Sequence, residues 1–102
     1  MTLCGARVVD PGIGFGKTIA HNVELLARSG ELNPLGPVLV GPSRKRFLRA
    51  LSAASSLEQL DTATVGASCL AVFGGADLLR VHAVGEVRLA LTIVDAARAV
   101  TS

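Results

Sequence analysis

The chain has no tryptophan or tyrosine and only three phenylalanines in 102 residues. Without a set of aromatic rings it lacks the stacking platform that holds single-stranded nucleic acid, and a net charge of +2 is too small for the basic footprint of a nucleic-acid binder. Cysteine is also scarce. Cys4 and Cys69 lie far apart with no Cys-x-x-Cys pair and no clustered Cys/His ligands, which favours two buried thiols over a disulfide or a zinc site. No apolar run approaches the roughly 18 residues of a membrane span, and Met1 is not followed by the basic and apolar segments of a secretion signal. The expectation is a cytoplasmic domain with no membrane and no nucleic-acid partner. What remains is core material: half of the residues are hydrophobic and 18% are charged, which suits one domain over residues 1–102.

Three runs share one layout: Val8-Val9-Asp10-Pro11-Gly12, Val38-Leu39-Val40-Gly41-Pro42-Ser43-Arg44-Lys45 and Leu78-Leu79-Arg80-Val81-His82. Each is a short apolar stretch that ends in polar or charged residues, and helix-like sequence fills the gaps. Strands are predicted at residues 6–9, 38–40 and 77–82, all continuous apolar runs of the kind found in a parallel sheet covered on both faces. A helix should begin near Thr18, with Ile19, Val23, Leu25 and Leu26 inward and Ser29-Gly30 as its stop. Asn33-Pro34 and Gly36-Pro37 then break the chain. A second helix is expected from Arg44 to about Ala54 with Phe47, Leu48 and Leu51 inward, and a third from about Leu57 to Phe73, closely packed through Ala63, Gly66, Ala67, Ser68 and Ala71 and ended by Gly74-Gly75. The last runs from Glu86 to about Val100, with Val87, Leu91, Val94 and Ala97 on one face.

Right-handed crossovers would put the carboxyl ends of all three strands on one side of the sheet. Asp10, Ser43, Lys45, Arg80 and His82 would then converge at the edge where α/β folds bind ligands. Any one of them could be a turn cap or a solvated helix residue; five at matching positions point to a shared site. The glycine run between Pro11 and Thr18 holds two false leads. It fits a phosphate-binding P-loop except at the first glycine, where Pro11 has a locked φ and no N–H. It fails the dinucleotide fingerprint because Lys17 stands at the third glycine position. Alternating glycines after an aspartate fit a loop passing close to a flat ligand, with Phe15 against it.

These runs carry a resemblance. Asp10-Pro11-Gly12-Ile13-Gly14-Phe15-Gly16-Lys17 with His21-Asn22, then Val40-Gly41-Pro42-Ser43-Arg44-Lys45, then Gly75-Ala76 and Arg80-Val81-His82, resemble the dihydropteroate synthase family in order and spacing. Asp61-Thr62-Ala63-Thr64 is similar to the form this region takes in actinobacterial members. The resemblance implies an α/β fold, the C-terminal portion of a TIM (β/α)8 barrel with three parallel strands, six to eight, and their flanking helices. It also implies an enzyme that condenses 6-hydroxymethyl-7,8-dihydropterin diphosphate with p-aminobenzoate, giving 7,8-dihydropteroate and diphosphate.

Carried over by motif, Asp10 would accept hydrogen bonds from the pterin, Lys45 would bind its polar edge, and Arg80 would cover a ring face. Arg80 and His82 would hold the departing diphosphate, so Lys45, Arg80 and His82 form the catalytic set. Phe15 and Ser43, beside Gly41, would seat p-aminobenzoate, and sulfonamides would compete as its mimics. A magnesium ion is expected for the full-length family, with its ligand on the five strands that this chain does not include. Without them the isolated chain is expected to be inactive, to need a complementing N-terminal fragment, or to pair as a homodimer. Ala83 stands where the family has aspartate. The alternative is a non-catalytic or regulatory remnant that binds pterin or a partner chain.

Overall fold

Pairing begins at the apolar runs. A computed structural model describes residues 2–4, 8–13 and 18–101, with strands β1 (Thr2–Cys4), β2 (Val8–Asp10), β3 (Leu39–Val40) and β4 (Leu78–Leu79). β3 and β4 are parallel, Leu39 opposite Leu78 and Val40 opposite Leu79. A parallel bridge between Val9 and Val38 attaches β2 to β3, with the Val9 N–H donating to the Pro37 carbonyl at 2.8 Å. The three expected parallel strands are therefore present, in the order β2, β3, β4.

β1 was not expected. It runs antiparallel to β2, with Thr2 opposite Asp10 and Cys4 opposite Val8. An open strand edge presents unpaired N–H and C=O groups, and β1 pairs with those of β2. β2 (Val8–Asp10) runs one residue past the expected end at Val9, and the expected start at Ala6 and Arg7 lies outside the described residues. β4 is shorter than the expected 77–82. Asp77 instead accepts the Val38 N–H on its carboxylate at 2.9 Å, while the Arg80 N–H reaches the Val40 carbonyl at 3.0 Å.

Helix α1 (Ile19–Ala27) starts where the Thr18 hydroxyl accepts the His21 N–H. Leu26 is buried, whereas Ile19, expected inward, is exposed. The Ser29-Gly30 stop is real, but the chain continues as a 3-10 helix, Ser29–Leu35. Helix α2 (Arg46–Ser52) is shorter than expected because Arg44 (φ 56°) and Ala53 (φ 59°) adopt left-handed conformations at its two ends. Phe47 and Leu48 are buried, but Leu51 points to solvent at 59% exposure. Helix α3 (Leu57–Phe73) has the expected bounds: the Ser56 hydroxyl caps it by accepting the Gln59 N–H. Its small buried residues Ala67, Ser68 and Ala71 let it pack against α1, α2 and α4. Helix α4 (Val84–Thr101) begins two residues before Glu86, with Val87 buried and Leu91, Val94 and Ala97 half-buried.

Ile13, Leu26, Val38, Val40, Phe47, Leu48, Ala67, Ala71 and Ala76 form the core. Cys69 is a free, half-buried thiol whose pKa is pushed up by that burial; the Cys4 side chain lies outside the described residues. The accessible surface is 6118 Å², against roughly 5400 Å² expected for a folded 10.4 kDa monomer. The excess is apolar in part: Leu78 is 46% exposed, and on the outer side of α4 Leu89, Ile93 and Val100 are 74%, 73% and 85% exposed. No described helix is long and apolar enough to cross a membrane.

Candidate functional site

Asp10, at the end of β2, begins a tight turn in which its Oδ1 accepts the Gly12 N–H at 2.8 Å, with Gly12 at φ 78°. The turn uses one carboxylate oxygen. The other, Oδ2, lies 4.0 Å from Nη2 of Arg80, which extends from the end of β4 and is 68% exposed. Gly41, buried just after β3, explains how that guanidinium is accommodated. A Cβ there would sit 3.2 Å from Arg80 Nη2 and 3.4 Å from Nε. The missing side chain is the slot in which the Arg80 head lies.

Ser43 ties β3 to β4. Its Oγ accepts the His82 N–H at 3.1 Å and also makes a short hydrogen bond with His82 Nδ1. A hydroxyl that accepts a main-chain N–H can still donate its own proton; given to Nδ1, that proton leaves the imidazole N–H on Nε2, free to face a ligand.

Between Ser43 and Lys45 the chain is held from α3. The Arg44 guanidinium makes two parallel bonds to Asp61, Nε to Oδ1 at 2.9 Å and Nη2 to Oδ2 at 3.1 Å. The Arg44 N–H donates to Thr64 Oγ1 at 3.1 Å, and the buried Thr64 hydroxyl donates to the Leu60 carbonyl at 2.8 Å. Hydrogen bonding from Arg44 holds the Asp61 carboxyl below the usual carboxylate range. Partial burial opposes this, and the charge of Arg44 adds to it. Lys45 is half-buried in the same loop. Its N–H donates to the Pro42 carbonyl at 3.3 Å, and its own carbonyl accepts the Leu48 N–H as α2 begins.

Of the residues singled out in the sequence, Asp10, Gly41, Ser43, Arg80 and His82 meet at one edge, and Lys45 belongs to the loop that carries Ser43. Phe15 lies outside the described residues. Asp61 and Thr64 were missed as site residues. Their signal was a carboxylate and a hydroxyl three apart, hence on one face of a helix otherwise rich in small residues. The arrangement offers a guanidinium fork and an imidazole beside a single carboxylate, which suits a ligand with both an anionic group and N–H donors. The described residues contain no group of three or more His, Cys, Asp or Glu that could hold a metal, and Asp10 faces a cation. This donor set does not fit a magnesium ion.

A family model described as "Pterin binding enzyme" matches residues 6–82. The chain is 41% identical over 90 residues to the dihydropteroate synthase of Synechocystis, covering 87% of this chain and 31% of that protein. Dihydropteroate synthase from Xanthomonas albilineans, solved in complex with 7,8-dihydropteroate, superposes with a TM-score of 0.81 at 46% identity, covering 90% of this chain and 36% of that one. A Yersinia pestis dihydropteroate synthase in a sulfonamide drug complex superposes at 0.82 with 40% identity, covering 91% and 34%. This chain spans about a third of the length of the curated relatives it matches.

Proposed function

Because this chain belongs to the pterin-binding enzyme family, we propose that it forms part of a dihydropteroate synthase and supplies one half of that active site. The observation that carries the reading is the meeting of Asp10 with Arg80 across Gly41, beside Ser43 paired with His82. Asp10 Oδ2 accepts hydrogen bonds from the amino and ring N–H groups of the pterin, Lys45 binds the ring's polar edge, and the Arg80 stem and guanidinium cover a face. Phe15 and Ser43 seat p-aminobenzoate. The related Xanthomonas enzyme has been solved with 7,8-dihydropteroate and with 4-aminobenzoic acid, ligands that suit this division.

In the reaction the p-aminobenzoate nitrogen bonds to the pterin methylene carbon, the bond from that carbon to the diphosphate oxygen breaks, and the nitrogen loses a proton. The leaving group gains negative charge as its bond breaks, and donors already aimed at it lower the barrier. Arg80 and His82 Nε2 supply them, while Asp10, Lys45 and Ser43 hold the two substrates at reacting distance. Magnesium belongs to the proposal as a partner of the diphosphate, with ligands outside this chain, and no step here runs through it. The setting is the cytoplasm, and the outer helices are the face for a homodimer.

A second reading, a non-catalytic remnant that binds pterin or a complementing chain, is favoured by Ala83 and by the exposed apolar surface of β4 and α4. Mixing the chain with a fragment of a relative supplying the first five strands separates the two. Formation of dihydropteroate, lost in Lys45→Ala, supports the synthase. Assembly without turnover selects the second reading, and unchanged turnover in Lys45→Ala means the pterin site has been misplaced.

A further inference from the structure

Arg44 is the residue of this edge with the least local reason for its conformation. A left-handed backbone is uncommon for a residue with a Cβ and persists only where surrounding contacts impose it. Helix α2 does not impose it, since no side chain caps its first turn. Helix α3 does, through the two-point bond from Asp61 to the guanidinium and the Thr64 hydroxyl on the Arg44 N–H. Side-chain exposures of 32% and 24% shelter the ion pair in part from water. The neighbour fixed by this clamp is Ser43, which holds both the backbone and the ring of His82. A continuous series of contacts thus runs from α3 through Arg44 and Ser43 to the imidazole at the end of β4.

We infer that Asp61, assisted by Thr64, is a positioning residue: it clamps Arg44 and so sets Ser43 against His82 at the anion-binding end of the site. It touches neither substrate. The link to anion binding rests on the proposed function; the clamp itself does not.

The test uses the full 102-residue chain with Asp61→Asn, Asp61→Glu and Arg44→Lys, the last because a lysine cannot make the two-point bond. Amide hydrogen exchange by NMR reads the clamp directly. In Asp61→Asn and Arg44→Lys, exchange at Arg44 and His82 should accelerate at least tenfold while α1 and the far end of α3 stay within twofold. Asp61→Glu, which keeps the carboxylate, should recover most of the protection. Titration with sodium diphosphate should show binding about tenfold weaker in Asp61→Asn and restored in Asp61→Glu. Unchanged exchange at Arg44 and His82 overturns the inference, as does acceleration spread evenly over α1 and α3, which would make Asp61 a stabiliser of the helices only. Where Asp61→Asn fails to fold, Arg44→Lys decides by the same criteria. If the wild type does not bind diphosphate but exchange responds as expected, the positioning stands and the leaving-group assignment falls.

Discussion

Gly74, the C-cap of α3, packs against the last turn of α1. Its backbone (φ −77°, ψ −3°) is open to any residue, so glycine is needed there for space alone. A Cβ at this position would lie 2.4 Å from the Ala27 carbonyl oxygen, 2.8 Å from its carbon and 2.9 Å from the Leu26 oxygen. All three are backbone atoms, and no side-chain rotation relieves them. For Gly74→Ala, the ends of the two helices must part by on the order of 1 Å to reach ordinary contact. Overpacking of this kind costs about 1–3 kcal/mol. The Gly30 N–H bond to the Gly74 carbonyl, 2.7 Å long, lies in the same contact, and losing it adds about 1 kcal/mol. A total near 3 kcal/mol is a large share of the 5–15 kcal/mol typical of a domain and should lower Tm by roughly 12–24 °C at this size.

Thermal unfolding followed by circular dichroism measures it, with Gly66→Ala as the control. Gly66 lies inside the same helix with nothing within 4 Å of its would-be Cβ, so alanine there should stabilise by about 0.5–1 kcal/mol through helix propensity alone. A Gly74→Ala protein melting within 5 °C of wild type, or a Gly66→Ala protein falling as far as Gly74→Ala, would refute the packing argument.

Other outcomes follow from single contacts. The Ala83 carbonyl accepts the Val87 N–H at 3.2 Å, which makes Ala83 the residue preceding α4's first turn; Ala83→Asp supplies a side-chain acceptor there and should raise stability by about 1 kcal/mol in urea unfolding. Gly41→Ala pushes only the exposed Arg80 head, so its melting temperature should stay within a few degrees of wild type while calorimetry shows diphosphate binding weakened about tenfold. The Asp61 carboxyl is held below its ordinary pKa, chiefly by hydrogen bonds from Arg44. Its contribution is therefore complete above the unfolded carboxylate pKa of about 4 and is lost as pH falls through the lower folded value. Melting temperatures of wild type and Asp61→Asn should differ at pH 7 and draw together as the pH falls below about 4; a constant gap would sink the assignment.

Much of the fold was legible. Helix α3 was read to its ends because Gly74-Gly75 is local punctuation whose chemistry acts within a few residues; the Ser56 cap at its start came from the structure. The three parallel strands followed from apolar runs with polar ends, and their handed crossovers implied that Asp10, Ser43, Arg80 and His82 would share an edge. Where the reading failed, long-range contacts decided. β1 exists because the edge of β2 was open, which the tetrapeptide Met1-Thr2-Leu3-Cys4 does not announce. Leu51 has the right spacing for an inward face, yet α2 is too short and too peripheral to bury it. Asp61 was not among the site residues read from the sequence, because its partner lies 17 residues away.

Residue pattern alone fixed the three parallel strands, the four α-helices between and after them, the family and the residue types at the strand ends, since periodicity, capping and motif spacing are short-range properties of the chain. It took the packed fold to show that Gly41 makes room for Arg80, that Ser43 takes His82 as its partner, and that Asp61 holds Arg44 in a left-handed turn. Each of these depends on distances of a few ångströms between residues remote along the chain, and helix packing sets those distances where no local pattern encodes them.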